Sequence, residues 1–329
     1  MAVYTEVSRD AAQALLARLN LGTLLALDPC PGGIENTNYF CDADTGRYVL
    51  TLFERLGAGE LPYYLHLMGH LAGHGVPVPA PHADAAGEVL HSICGKPAAL
   101  VDRLRGRPCL APDIAHCEAV GAMLARMHLA GLDYARTQPH PRGLAWWLQT
   151  APVVRPFLDA PQRALLDAEL AFQQHVAASE AARGLPHGAI HGDLFRDNVM
   201  FDATPDGDRL SGFFDFYFAG VDALLFDIAV CLNDWCTDPA SGRLEEQRAA
   251  AFVRAYAAVR PLSGDEARLL PATMRGAALR FWISRLWDLH LPRDAHVLTA
   301  HDPAPFERVL RERMRTPWHP TDGAVHRAA

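Results

Sequence analysis

The segment His191-Gly192-Asp193-Leu194-Phe195-Arg196-Asp197-Asn198 is followed by Phe213-Phe214-Asp215-Phe216. Two aspartates and an asparagine at this spacing form a set suited to phosphoryl transfer. The first carboxylate can orient a hydroxyl and accept its proton. The carboxamide and the second carboxylate offer hard oxygen ligands that can hold Mg²⁺ against the phosphates of a nucleotide. A lone His-x-Asp is common and means little. The longer pattern is more restrictive, because turn capping and a buried ion pair explain each residue singly but not their joint occurrence.

These residues need a frame. His191 to Asn198 has neither helical nor strand periodicity and reads as a loop. Val199-Met200-Phe201 reads as a short buried strand, Thr204-Pro205-Asp206-Gly207-Asp208 as a turn, and Leu210 to Phe214 as the returning strand. Such a hairpin brings Asp215 back beside Asn198, where one metal ion can touch both. His191 is expected to brace the loop rather than to transfer protons.

Further out, a helix is expected from about Ser8 to Leu19, with Ala12, Leu15, Leu16 and Leu19 at helical spacing. Strand-like segments follow, the clearest being Tyr48 to Phe53. Leu61 to Leu71 reads as a helix, ended by the proline-rich run from Gly75 to Pro81. Val89 to Ile93 and Ala98 to Val101 read as a hairpin turned at Cys94-Gly95-Lys96. Beyond Arg103 helical periodicity dominates, with later helices over about Glu245–Val259 and Ala272–His290. The layout is α+β: a small, sheet-rich lobe over residues 1–104, a larger helical lobe over 105–329, a hinge near Leu100 to Gly106, and a nucleotide in the cleft between them. The stretch after about Thr316 is weakly patterned and is expected to be poorly ordered.

Bulk properties narrow the partners. The chain has 329 residues, half of them hydrophobic, with a formal net charge of −8. An acidic balance argues against nucleic acid. The first residues lack a basic and apolar leader pattern, and no apolar run is long enough to span a membrane. Seven cysteines without a Cys-x2-Cys pair suit reduced thiols in a cytoplasmic protein. Lys96 is the only lysine.

The two-lobed layout with His191-x-Asp193-x4-Asn198 and Asp215 resembles the aminoglycoside phosphotransferase and choline kinase superfamily, which shares the protein-kinase-like fold. Glu35 to Phe40, Val49 to Glu54, Gly95 to Ala98, Asp215-Phe216-Tyr217, Leu232 to Cys236 and Arg280 to Leu286 further resemble the homoserine kinases of that superfamily. The resemblance implies transfer of phosphate from ATP, with Mg²⁺, to the side-chain hydroxyl of L-homoserine, a step towards threonine. It implies Asp193 as the catalytic aspartate, Asn198 and Asp215 as metal ligands, and Gly32, Gly33, Asn36 and Asn38 in the phosphate-covering turn. Choline, ethanolamine or aminoglycoside kinases, and a nucleotide-binding pseudokinase, are the alternatives.

One departure stands out. Members of the superfamily usually carry a basic residue on the strand over the nucleotide, where this chain has Thr51. Lys96, Arg55, or backbone N–H groups of residues 32–38 together with Mg²⁺ could fill that role. The homoserine carboxylate needs a cation and its ammonium an acceptor. Arg280 and Arg285 are five positions apart on one helix and point about 140° from each other, so both cannot face one small substrate. Arg285 precedes Asp288 by three and suits a surface ion pair. Arg280 is the better candidate for the carboxylate; Asp234 is a candidate for the ammonium, against a structural ion pair within its helix, and Trp235 and Tyr217 could shape the pocket, against a place in the core. Oligomeric state is not readable from these patterns.

Overall fold

Period-two burial builds the first sheet. In strand β2 (Thr37–Ala43) Tyr39, Cys41 and Ala43 are buried on one face, and in β3 (Gly46–Leu52) Tyr48, Leu50 and Leu52 match them. With β1 (Leu24–Pro29), β4 (His91–Ile93) and β5 (Lys96–Asp102) they form a five-stranded antiparallel sheet in the order β1-β2-β3-β5-β4. Helix α1 (Arg9–Arg18) lays Ala12, Leu15 and Leu16 on that face. Its start follows from Ser8, whose side chain accepts the Ala11 N–H. The β4–β5 turn is Cys94-Gly95, with φ of 52° and 74°, the two-residue turn whose twist suits a hairpin. Lys96 therefore opens β5 rather than sitting in the turn. Helix α2 spans Leu61–Gly73.

This computed structural model describes residues 4–30, 36–291 and 301–320, so Gly32 and Gly33 lie outside the described residues. The described residues fall into two compact units. One takes the chain up to Arg105 together with Ser211–Phe214; the other takes Gly106–Leu210 and the chain from Asp215 onward.

The second unit is mostly helical. It contains α3 (Ile114–Ala130), α4 (Leu144–Val154), α5 (Ala160–Ala177), α6 (Glu180–Arg183), α7 (Leu224–Trp235), α8 (Glu246–Val259), α9 (Gly264–His290) and α10 (Ala304–Arg315). Helix α3 packs along α8. They meet backbone to backbone at Gly121, where an added Cβ would lie 2.3 Å from Phe252 O. Short strands complete it: β6 (Arg107–Pro108) beside β8 (Val199–Thr204), the start of the returning β9 (Gly207–Phe213), whose residues from Ser211 fall in the first unit, and β7 (His187–Ile190) paired with β10 (Gly220–Ala223). The α+β class expected from the sequence holds. Two helical boundaries do not. Helix α9 begins at Gly264 rather than near Ala272, because Ser263 and Glu266 form a reciprocal N-terminal cap and Pro271 is accommodated inside the helix. Helix α10 was not expected at all; its Phe306, Val309, Leu310 and Arg313 are buried.

Candidate active site

Strand β7 ends at Ile190, and the chain turns at once into His191–Asn198. Gly192 makes the turn with φ of 76°, a conformation that disfavours a side chain. A Cβ there would also lie 2.8 Å from Phe218 O and 3.0 Å from His140 Nε2. Gly192→Ala is therefore expected to displace Asp193 and lower kcat by at least about tenfold, measured beside a melting curve to separate misplacement from unfolding.

The loop is held from inside by α7. Asp227, fully buried, accepts the His191 N–H at 2.7 Å on Oδ2 and the Gly192 N–H at 2.7 Å on Oδ1. One helical turn on, the Cys231 thiol reaches Leu194 O at 3.5 Å. A further turn on, Trp235 Nε1–H donates to Leu194 O at 3.0 Å. Asp234 accepts the Arg196 N–H at 2.8 Å and its guanidinium at 3.1 and 3.2 Å. Positions 227, 231, 234 and 235 share one helix face by their spacing.

Asp227 is itself braced. His128 Nε2 donates to it at 3.1 Å, and in that tautomer Nδ1 accepts from Tyr256 O–H at 2.7 Å. Arg260 donates to the Tyr256 hydroxyl at 3.2 Å and pairs with the buried Glu266 at 2.8 Å. Burial, the largest single influence, opposes the charge on Asp227, but the His128 bond, the neighbouring His128 and His191 rings and the Gly192 N–H together outweigh it and hold the carboxyl below its ordinary range. At Asp234 the balance is reversed: burial pushes the carboxyl up, against the pull of Arg196.

Asp193 stands at the front of this frame. Its N–H donates to His191 Nδ1 at 3.2 Å, and its carbonyl accepts Asn198 Nδ2–H at 2.8 Å. The second bond turns Asn198 Oδ1 away from Asp193 O, where it could ligate a cation. Asp215, two residues past β9, has φ of 67°, unusual for a residue with a side chain and costing on the order of 1 kcal/mol. Asn198 and Asp215 lie at the same end of the β8–β9 hairpin, and their oxygen donors suit Mg²⁺.

Arg280 of α9 is 3% exposed and sets Nη1 3.5 Å from Asp193 Oδ1. Its guanidinium lies 3.7 Å over Phe281 and 5.1 Å from the Phe218 ring centre. Phe281 in turn stacks on Phe195 of the loop and on Phe306 of α10. Arg285 turns elsewhere: it lies over Phe306 and donates to Asp302 O at 3.1 Å.

The other expected residues are placed as follows. Asp234 faces Arg196 with both oxygens, and Trp235 is fully buried against Leu194 O. Tyr217 is half-buried two residues beyond Asp215. In the first unit, Thr51 Oγ1–H donates to Asn38 Oδ1 at 2.7 Å across β2 and β3, with Asn36 half-buried just before β2. Lys96 is paired with Glu54 at 3.1 Å, which also accepts the Thr37 hydroxyl at 2.7 Å. Asp227 and His128, which brace the loop, were missed by sequence reasoning. The one available signal for Asp227 was an aspartate inside an otherwise apolar helix, at helical spacing from Asp234.

The chain belongs to the phosphotransferase enzyme family, whose sequence profile matches residues 26–262. Among its relatives, a homoserine kinase of Polaromonas naphthalenivorans is 62% identical over 97% of this chain and 99% of its own. A homoserine kinase of Ralstonia nicotianae is 54% identical over 96% of each chain. Solved structures share the fold at low identity. An amicoumacin kinase in complex with AMP-PNP and Ca²⁺ has a TM-score of 0.68 at 18% identity, covering 96% of this chain and 97% of that one. An ethanolamine kinase of Plasmodium vivax has a TM-score of 0.58 at 12% identity, covering 95% of each. No helix among the described residues is long and apolar enough to cross a membrane.

Proposed function

We propose that this enzyme transfers the γ-phosphoryl group of ATP to the side-chain hydroxyl of L-homoserine, giving O-phospho-L-homoserine and ADP for threonine biosynthesis. The observation that carries the acceptor is the near full-length identity of 62% to a homoserine kinase. The rigid seating of Asp193 supports the chemistry. The hydroxyl oxygen bonds to the γ-phosphorus, the bond from that phosphorus to the β,γ-bridging oxygen breaks, and Asp193 takes the hydroxyl proton. Asn198 and Asp215 would hold Mg²⁺, which when bound supplies neutralising charge at the phosphates. His191 accepts the Asp193 N–H and braces the loop.

Arg280 orients the Asp193 carboxylate from its aromatic seat, a role distinct from the substrate contact that its sequence position suggests. Asp234 and Trp235 serve the loop backbone in the same way. Thr51 and Asn38 form a neutral cross-strand pair, and Lys96 is joined to Glu54. The Glu54 carboxyl lies below its ordinary range: burial opposes the charge, and bonds from Thr37, Thr5 and Lys96 outweigh it.

A coupled ADP-release assay over homoserine, choline, ethanolamine, serine, threonine and kanamycin tests the acceptor. Homoserine is expected to exceed every other compound in kcat/KM by at least about 10²-fold. Choline or kanamycin outrunning it would sink the assignment.

A further inference from the structure

Residues 138–142 run beside β10. Val221 N–H donates to Gln138 O at 2.7 Å, and His140 N–H donates to Val221 O at 3.3 Å. His140 is fixed in turn: its Nδ1 meets Asp222 Oδ2 at 2.9 Å, and its Nε2 faces Gly192 of the catalytic loop. Two residues later stands Arg142. The buried Trp147 donates its indole N–H to Arg142 O, and Gly143 N–H closes the turn onto His140 O at 3.1 Å. The Arg142 guanidinium lies 4.6 Å over Trp146 and 5.2 Å from the Phe218 ring centre. Arg280, which reaches Asp193, lies 5.1 Å from that same centre.

Two guanidiniums thus share one ring beside the catalytic aspartate, and they are not equivalent. Arg280 is enclosed and pairs with Asp193; Arg142 is half-buried. In homoserine, four bonds separate the hydroxyl oxygen from the carboxylate carbon. A group that reads the carboxylate must therefore stand a short side chain away from Asp193. An arginine held against aromatic rings is pre-organised, and a guanidinium can take a carboxylate with two parallel hydrogen bonds; here Arg142 also donates from Nη1 to Pro141 O at 3.3 Å.

We infer that Arg142 binds the α-carboxylate of the amino-acid acceptor and selects it over amino alcohols, while Arg280 serves Asp193. This rests on the homoserine reading above. The test measures kcat and KM for homoserine, for 3-aminopropan-1-ol (homoserine without its carboxylate) and for ATP, in the wild-type enzyme and in Arg142→Ala and Arg142→Lys. Arg142→Ala is expected to lower kcat/KM for homoserine by about 10- to 100-fold, mainly through KM. The amino alcohol and ATP should change by less than about twofold, and lysine should restore part of the loss. A wild-type enzyme indifferent to the carboxylate overturns the acceptor reading and this inference together. If the wild type is selective but Arg142→Ala keeps that selectivity, or loses activity equally on both acceptors, the inference alone falls.

Discussion

Asp193→Asn is expected to reduce kcat by about 10²- to 10⁴-fold, the range that a positioned proton acceptor contributes. ATP affinity should stay within a few-fold. The substitution keeps the side-chain volume, and the loop bonds from the Asp193 N–H and to the Asp193 carbonyl involve backbone atoms and survive it. What is lost is the carboxylate that faces Arg280. Single-turnover kinetics with titration calorimetry for nucleotide separates the two effects. Near-normal turnover would remove Asp193 from its role. Loss of nucleotide binding in parallel with turnover would show that the carboxylate serves binding rather than proton transfer.

The second large effect is expected away from the reacting atoms. Asp227→Asn should destabilise the protein by about 2–4 kcal/mol, because buried donors lose a charged acceptor, and should lower kcat as well. Both Asp227 oxygens accept hydrogen bonds, from two loop amides and from His128. An asparagine offers one oxygen and turns an N–H₂ towards a donor. The pH dependence provides a second reading. The folded-state pKa of Asp227 is depressed, so its contribution is complete above the unfolded value of about 3.9 and is lost as pH falls through the lower folded value. Melting temperatures measured from neutral to acid pH should fall for the wild type, and the gap to Asp227→Asn should narrow. A constant gap would mean that the carboxylate charge contributes nothing to the difference.

Local signals were legible where the physics is local. The Ser8 cap, the alternation in β2 and β3, the hairpin after Asn198 and the loop before it depend on neighbours within a few residues, and the structure places them close to where periodicity puts them. Asp193, Asn198 and Asp215 stand out as candidates because their residue types are rare in that combination. The supporting residues do not. Asp227 reads as an interruption in an apolar run, because its partners lie 35 and 36 residues upstream and are backbone amides that leave no mark in sequence. Arg280 was allotted by elimination between two arginines, whereas its environment is set by Phe281 and Phe218. The helix expected from about Ala272 starts about two turns earlier, at Gly264, where Ser263 and Glu266 cap it. In α10 half the residues are charged, and its buried Arg313 makes three hydrogen bonds, to Asn233, Gly242 and Thr237.

The single face of α7 has a consequence for how this enzyme can vary. Asp227, Cys231, Asp234 and Trp235 grip the loop from one rigid rod, so the rod works as a gauge against which the loop is cut to length. Removing or adding one residue within the rod would rotate everything beyond it by about 100° and carry Asp234 and Trp235 out of reach together. The spacing between these four positions cannot drift without taking the loop with it, which makes a helix behind the loop the least editable part of the site.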